Sequence, residues 1–219
     1  MSRSPKQSPV FLPAKTREWY KDAVVGWHPD PDRAYADGYH EAAEIVAGRA
    51  LEGHYPDRLI YPICFLYRHA LEVTLKDLIR QVEELICTRA WGEDDLVGHV
   101  RTDREIDAEL ESTHSLEVLL KVFEARLRIV MPEAEIPAEV RAALIELHNR
   151  DSNGETFRYG RARGLGKPTF DKQETFDVER IVHRLGEAFR FLSWGAGGAL
   201  SAEIEAVADY IAEMERAYG

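Results

Sequence analysis

Cysteine is nearly absent: Cys64 and Cys87 are the two in 219 residues. Both fall on a stretch that patterns as one long helix, which separates them by roughly 34 Å at the α-helical rise. A disulfide needs α-carbons within roughly 7 Å. The two are therefore expected to be unbridged, buried structural thiols, as in a reducing compartment. Long apolar runs are missing as well. The longest, LIYPICFLY from Leu59 to Tyr67, falls far short of the roughly 20 residues of a membrane span. The opening MSRSPKQSPVFLPAK has no apolar core of a secretory signal. The expectation is a soluble cytoplasmic chain with no membrane contact. Basic charge is scarce: 28 Lys and Arg against 39 Asp and Glu leave a net −11. That field excludes broad, non-specific binding to nucleic acid, so any phosphate contact needs a local basic patch. No GxSxG, P-loop, CxxC or GxGxxG after a strand occurs. Nucleophilic hydrolase, kinase and dehydrogenase readings have no support, and no cofactor is expected.

What is present is helical periodicity. Residues 1–29 read as an N-terminal arm and 30–219 as one domain. Asp30-Pro31 opens a helix to about Ala50. A second helix, from about Arg58 to Cys87, is apolar around nearly its whole circumference over the first five turns, the pattern of a central buried helix. Residues 88–112 form a long polar excursion, with a short helix near Asp103–Leu110. Leu116, Leu119, Leu120, Phe123 and Leu127 stripe a third long helix, and Pro137 opens another, to about Arg150. Residues 152–172 hold glycines and arginines and read as an ordered loop or short hairpin. Asp177 caps a helix to about Ser193. Trp194–Gly198 reads as a turn, and a last helix covers about Leu200–Tyr218. The sum is an all-α antiparallel bundle of five or six helices with one Gly/Arg-rich loop inserted late.

Three groups of residues are candidates for chemistry. Arg68, Glu72 and Lys76 share one face of the central helix at i, i+4 and i+8, with His69 adjacent. On a helix this apolar the stripe is either a buried network or the lining of a groove. Arg158, Arg161, Arg163 and Lys167 lie within ten residues, interleaved with Phe157, Tyr159 and Phe170. Arginines beside stacking rings suit a phosphate or nucleotide, and a loop clamped onto its own acidic surface is the bland reading. His148 and Asp151 are one turn apart, too few ligands for a metal, and no metal site is expected. His114 precedes a helix where free backbone amides need partners.

Three blocks, in order, resemble the HEPN superfamily of small helical domains. CFLYRHALEVTLKDLI, Cys64–Ile79, is similar to its long helix with an acid four residues before a lysine. THSLEVLL, Thr113–Leu120, resembles its His-x-Leu-x-x-Leu helix start. Asp151 with FRYG, Phe157–Gly160, resembles its late Arg-Tyr-Pro-like turn. The resemblance implies an antiparallel helical bundle, often a homodimer, from prokaryotic toxin–antitoxin and antiviral systems. Many members are metal-independent endoribonucleases with an arginine, four to six intervening residues and then a histidine, the site forming across a dimer. Arg141-x6-His148 fits that spacing, as do Arg33–His40 and Arg49–His54, while no histidine follows Arg158-Tyr159-Gly160 until His183.

Two classes of function follow. One is a non-catalytic module binding a nucleotide, an RNA or a partner protein encoded nearby, through Arg68, Glu72, Lys76 and the Arg158, Tyr159, Arg161, Arg163 loop. The other is a dimeric metal-independent endoribonuclease, with Arg141 and His148 as the catalytic pair, or with His69 as acid–base. His114 and Asp151 take orienting roles.

Overall fold

The structure, a computed structural model, describes residues 22–26, 28–161 and 166–218. It is 73% helical, and its described residues contain no strand. The all-α expectation therefore holds. The chain divides into two units, Met1–Pro31 and Asp32–Gly219. Most of the expected arm lies outside the described residues; within the first unit, Gly26 takes a left-handed conformation at φ 75°.

The second unit is built around one helix. After α1 (Pro31–Leu51), α2 runs from Pro56 to Arg89, 34 residues. Its start lies just before the expected one. Tyr55 turns left-handed at φ 54°, Pro56 takes the first helical position, and Asp57 sits inside the first turn, where a carboxylate meets the positive end of the helix. Ile63, Leu71, Leu75, Ile79, Val82, Leu85 and Ile86 are fully buried, which explains the lack of a polar face; Cys64 is buried as expected, but Cys87, near the end of the helix, is exposed. α1 presents small residues to this core: Ala36, Ala43, Ala47 and Ala50 are buried at helical spacing, so backbones approach closely.

The polar excursion is ordered by its own caps. A 3₁₀ turn covers Asp94–His99 and α3 covers Asp103–Ser112. Thr102 and Glu105 form a reciprocal capping box, which satisfies two otherwise free amides. Ser115 caps α4 (Leu116–Val130), and Leu116, Leu119, Leu120, Phe123 and Leu127 are buried as the stripe predicts. α5 covers Ala138–Arg150, and Asp177 caps α6 (Val178–Arg190). α2 packs on α4, α6 and the last helix; α5 packs on α4 and α6.

The expected turn at Trp194–Gly198 is not there. The chain passes from α6 through a π-helical segment, Phe191–Ala196, directly into α7 (Gly197–Tyr218). Glycine disfavours helix by about 1 kcal/mol. Burial of Leu192 and Leu200 on either side outweighs it, because tertiary packing supplies most helix stability. The wider π turn keeps both elements on the core. The described residues of 152–172 are loop, as expected, and among them the hairpin reduces to one bridge between Arg161 and Pro168. No helix among the described residues is long and apolar enough to cross a membrane.

Candidate functional site

The middle of α2 gathers most of the residues singled out by the sequence. Arg68 is 1% exposed and touches three other segments. Its Nη1 lies 3.5 Å from Glu72 Oε2, and its Nε lies 3.2 Å from Asp151 Oδ2. Its Nη2 donates to the His114 carbonyl at 2.7 Å. Glu72 Oε1 in turn meets Lys76 Nζ at 3.1 Å and His114 Nδ1 at 2.8 Å. Asp151 is fully buried at the end of α5, where its Oδ1 accepts the Thr156 amide at 2.9 Å. Gly154, at φ 78°, lies over the Arg68 guanidinium; a Cβ there would be 3.6 Å from Nε. Arg68, Glu72, His114 and Asp151 thus clamp α2, the start of α4 and the end of α5 into one network. Only Lys76 and the His114 ring form its wetter edge.

The adjoining face of α2 is aromatic. His69 is half-buried between Tyr39, edge-on with centroids 4.3 Å apart, and Phe65, parallel at 6.1 Å. Burial pushes the His69 pKa below its ordinary value; Glu72 opposes this, and Lys76, Arg158 and Arg68 add to it. Its imidazole is neutral at pH 7. The exposed Arg158 guanidinium lies 5.9 Å from the Phe65 centroid and 5.2 Å from that of Tyr159, within cation–π range. The turn after it is held by Thr169, whose hydroxyl donates to the Tyr159 carbonyl at 2.6 Å, and by Arg161 Nη1, which donates to the Gly166 carbonyl at 2.7 Å. Arg163 lies outside the described residues.

Arg141 and His148 are elsewhere, on the side of α5 that meets α4. Arg141 pairs with Glu124, and His148 Nε2 lies 3.5 Å from Glu117. The two acids stand seven residues apart, as do their partners, which makes a ladder across an antiparallel helix pair. No family model, curated protein or solved structure matches this chain. The site is therefore argued from its own geometry. Among the described residues no three His, Cys, Asp or Glu side chains are grouped to hold a metal ion.

Two further polar clusters escaped the sequence reading. Buried Glu83 takes both Nε and Nη2 of Arg126, at 2.6 and 2.7 Å, and Arg101 at 2.6 Å. This ties the 88–112 excursion to α2 and α4. Its signal was available: Glu83 is eleven residues after Glu72, three turns on, in an otherwise apolar helix. The second is His40, stacked on Phe189 at 4.0 Å and 3.3 Å from Glu44, which accepts the Tyr67 hydroxyl at 2.8 Å. Here only the i, i+4 spacing of His40 and Glu44 was visible, and it is common to any helix surface.

Proposed function

We propose that the chain is a non-catalytic, HEPN-like module that binds single-stranded RNA on the face formed by Arg158, Tyr159, Phe65 and His69. The observation that carries this reading is Arg158. It is a free-standing guanidinium between two rings in a chain of net charge −11. Arg68, the buried arginine among the described residues, has carboxylate partners; Arg158 instead offers its donors to solvent with π-faces beside it, the combination that holds a phosphate while a base stacks. Arg161 and Lys167 on the same loop extend the positive stretch, and Arg68, Glu72, His114 and Asp151 hold the loop's base rigid. The test is fluorescence anisotropy with a labelled single-stranded RNA. Arg158→Ala is expected to weaken binding about tenfold or more, and Arg141→Ala to leave it unchanged. Equal affinity of wild type and Arg158→Ala removes the reading.

A second reading rests on one specific observation: His69, neutral at pH 7, and Arg158 flank the same Phe65 ring. A neutral imidazole can take a proton from a ribose hydroxyl while a guanidinium stabilises phosphate charge. A metal-independent endoribonuclease built this way would cleave RNA in excess EDTA, and His69→Ala and Arg158→Ala would each abolish it. Cleavage lost in Arg141→Ala and His148→Ala instead would return the site to that pair, although each already has a carboxylate partner on α4. The family resemblance also implies a homodimer in a toxin–antitoxin or antiviral system, acting with a partner protein encoded nearby. Light scattering across a concentration series tests the dimer, and co-purification tests the partner.

A further inference from the structure

A pocket of about 250 Å³ opens between α5, α6 and the loop that precedes α6. Its floor is apolar: Leu147, Phe157 and Leu185 are buried there beside Cys64. Burial pushes the Cys64 thiol up to about 12, with Asp151 adding to the effect, so the thiol stays neutral and belongs to the floor. Phe176 forms one wall, with the Arg150 guanidinium 5.7 Å from its centroid.

The rim is different in kind. Arg150, Arg180 and Arg184 reach it from α5 and α6, with Glu146 and Asp177 as its carboxylates. Arg184 Nη1 pairs with Glu146, and Arg150 Nη1 donates to Glu174 at 2.5 Å. Each guanidinium has five N–H donors, so both keep donors to spare. Asp177 accepts the Arg180 amide at 3.0 Å as the cap of α6. The Arg180 side chain is exposed and has no carboxylate of its own among the described residues. An arginine-rich mouth over an aromatic floor, at the positive end of a 13-residue helix, selects for charge at one end of a ligand and apolar surface at the other. The volume lies just below the usual range of about 300–1,000 Å³ for ligand pockets, which favours a body about the size of one aromatic ring over a whole nucleotide.

We infer that this pocket binds a small organic anion, an aromatic or aliphatic body carrying one phosphate or carboxylate, with the body on Phe157 and Phe176 and the anion held by Arg180 and the spare donors of Arg150 and Arg184. The inference does not depend on the RNA-binding reading, which uses none of these three arginines.

The test is calorimetric titration of the full chain with phenyl phosphate and, separately, 3-phenylpropionate. Inorganic phosphate and benzyl alcohol supply the anion and the ring alone. Two variants at exposed positions leave the core intact: Arg180→Glu reverses the unpaired charge, and Thr175→Trp fills the mouth. The expected result is saturable binding of at least one of the two ring anions. Inorganic phosphate and benzyl alcohol should bind at least tenfold more weakly, and both variants should lose at least tenfold in affinity with unchanged circular dichroism. Three results overturn the inference: no saturation by either ring anion at millimolar concentration, wild-type affinity in Arg180→Glu and Thr175→Trp, or inorganic phosphate binding as tightly as phenyl phosphate.

Discussion

At the scale of single residues, burial decides which of two similar arginines matters to stability. Arg158 is exposed between two rings, whereas Arg68 is 1% exposed and holds the Glu72 and Asp151 carboxylates. Arg68→Met leaves the buried Asp151 carboxylate without its cation, while Glu72 keeps Lys76, so it is expected to cost about 3–5 kcal/mol in urea unfolding. Arg158→Ala should stay within about 0.5 kcal/mol, the usual range for an exposed position. A loss of similar size in both would contradict this division. Histidine makes a second residue-scale prediction. Burial lowers the pKa of both His40 and His69 below the ordinary 6.5, with Glu44 and Asp37 opposing and Arg190 assisting at His40. The unfolded chain therefore takes up these protons first as pH falls. Stability is fully present above about 6.5 and declines below it, toward the lowered folded values. His40→Gln is expected to flatten that decline in unfolding measured across the window; an unchanged slope would exclude His40 as a contributor. The Arg68, Glu72, Lys76 stripe was legible in the sequence because three charges repeat every four residues on an apolar helix. Its partner Asp151 was named for a different role, since no local pattern links a residue on α5 to one on α2.

At the scale of elements, caps and turns fix where helices begin and what they hold. The Thr102–Glu105 box starts α3 within a segment that is otherwise polar and acidic. Thr102→Ala should cost about 1 kcal/mol, read as a shift in the thermal unfolding midpoint. Gly154 is a stricter case. At φ 78° over the Arg68 guanidinium, an alanine there takes the left-handed conformation at a cost of about 1–2 kcal/mol. Gly154→Ala should also loosen the 152–161 loop, so RNA affinity should fall along with stability. A stability loss with unchanged affinity would uncouple the loop from the face. α7 shows uneven support along one helix: Leu200 is buried, while Tyr210 is 62% and Met214 40% exposed. Amides of 208–218 should therefore exchange with solvent much faster than those in the middle of α2. Helix existence was readable at nearly every element, because apolar spacing reports which face is inward. The join between α6 and α7 was not. Glycines at 195, 197 and 198 read as a turn, and only contact with the core shows that the chain stays helical through them.

At the scale of the whole molecule, net charge of −11 makes any RNA contact local and limited in number. If Arg158, Arg161 and Lys167 carry the phosphate contacts, the logarithm of the binding constant should fall against the logarithm of salt with a slope of about −2, three contacts at about 0.7 each. A much steeper slope would mean a larger basic surface than these three residues provide. By itself the sequence determined the all-α class, the central place of α2, the stripes of α4 and α5, and the chemical types at the candidate face. Those properties follow from local periodicity and from which side chains water rejects, and both are written residue by residue. Tertiary structure alone decided that Arg68 is spent on Asp151 while Arg158 is left to solvent. It also decided that Arg141 and His148 are taken up by α4, and that Arg150, Arg180 and Arg184 meet around one pocket. These are facts about distant segments brought within a few ångströms, where Coulomb attraction and burial act on pairs that no sequence spacing records.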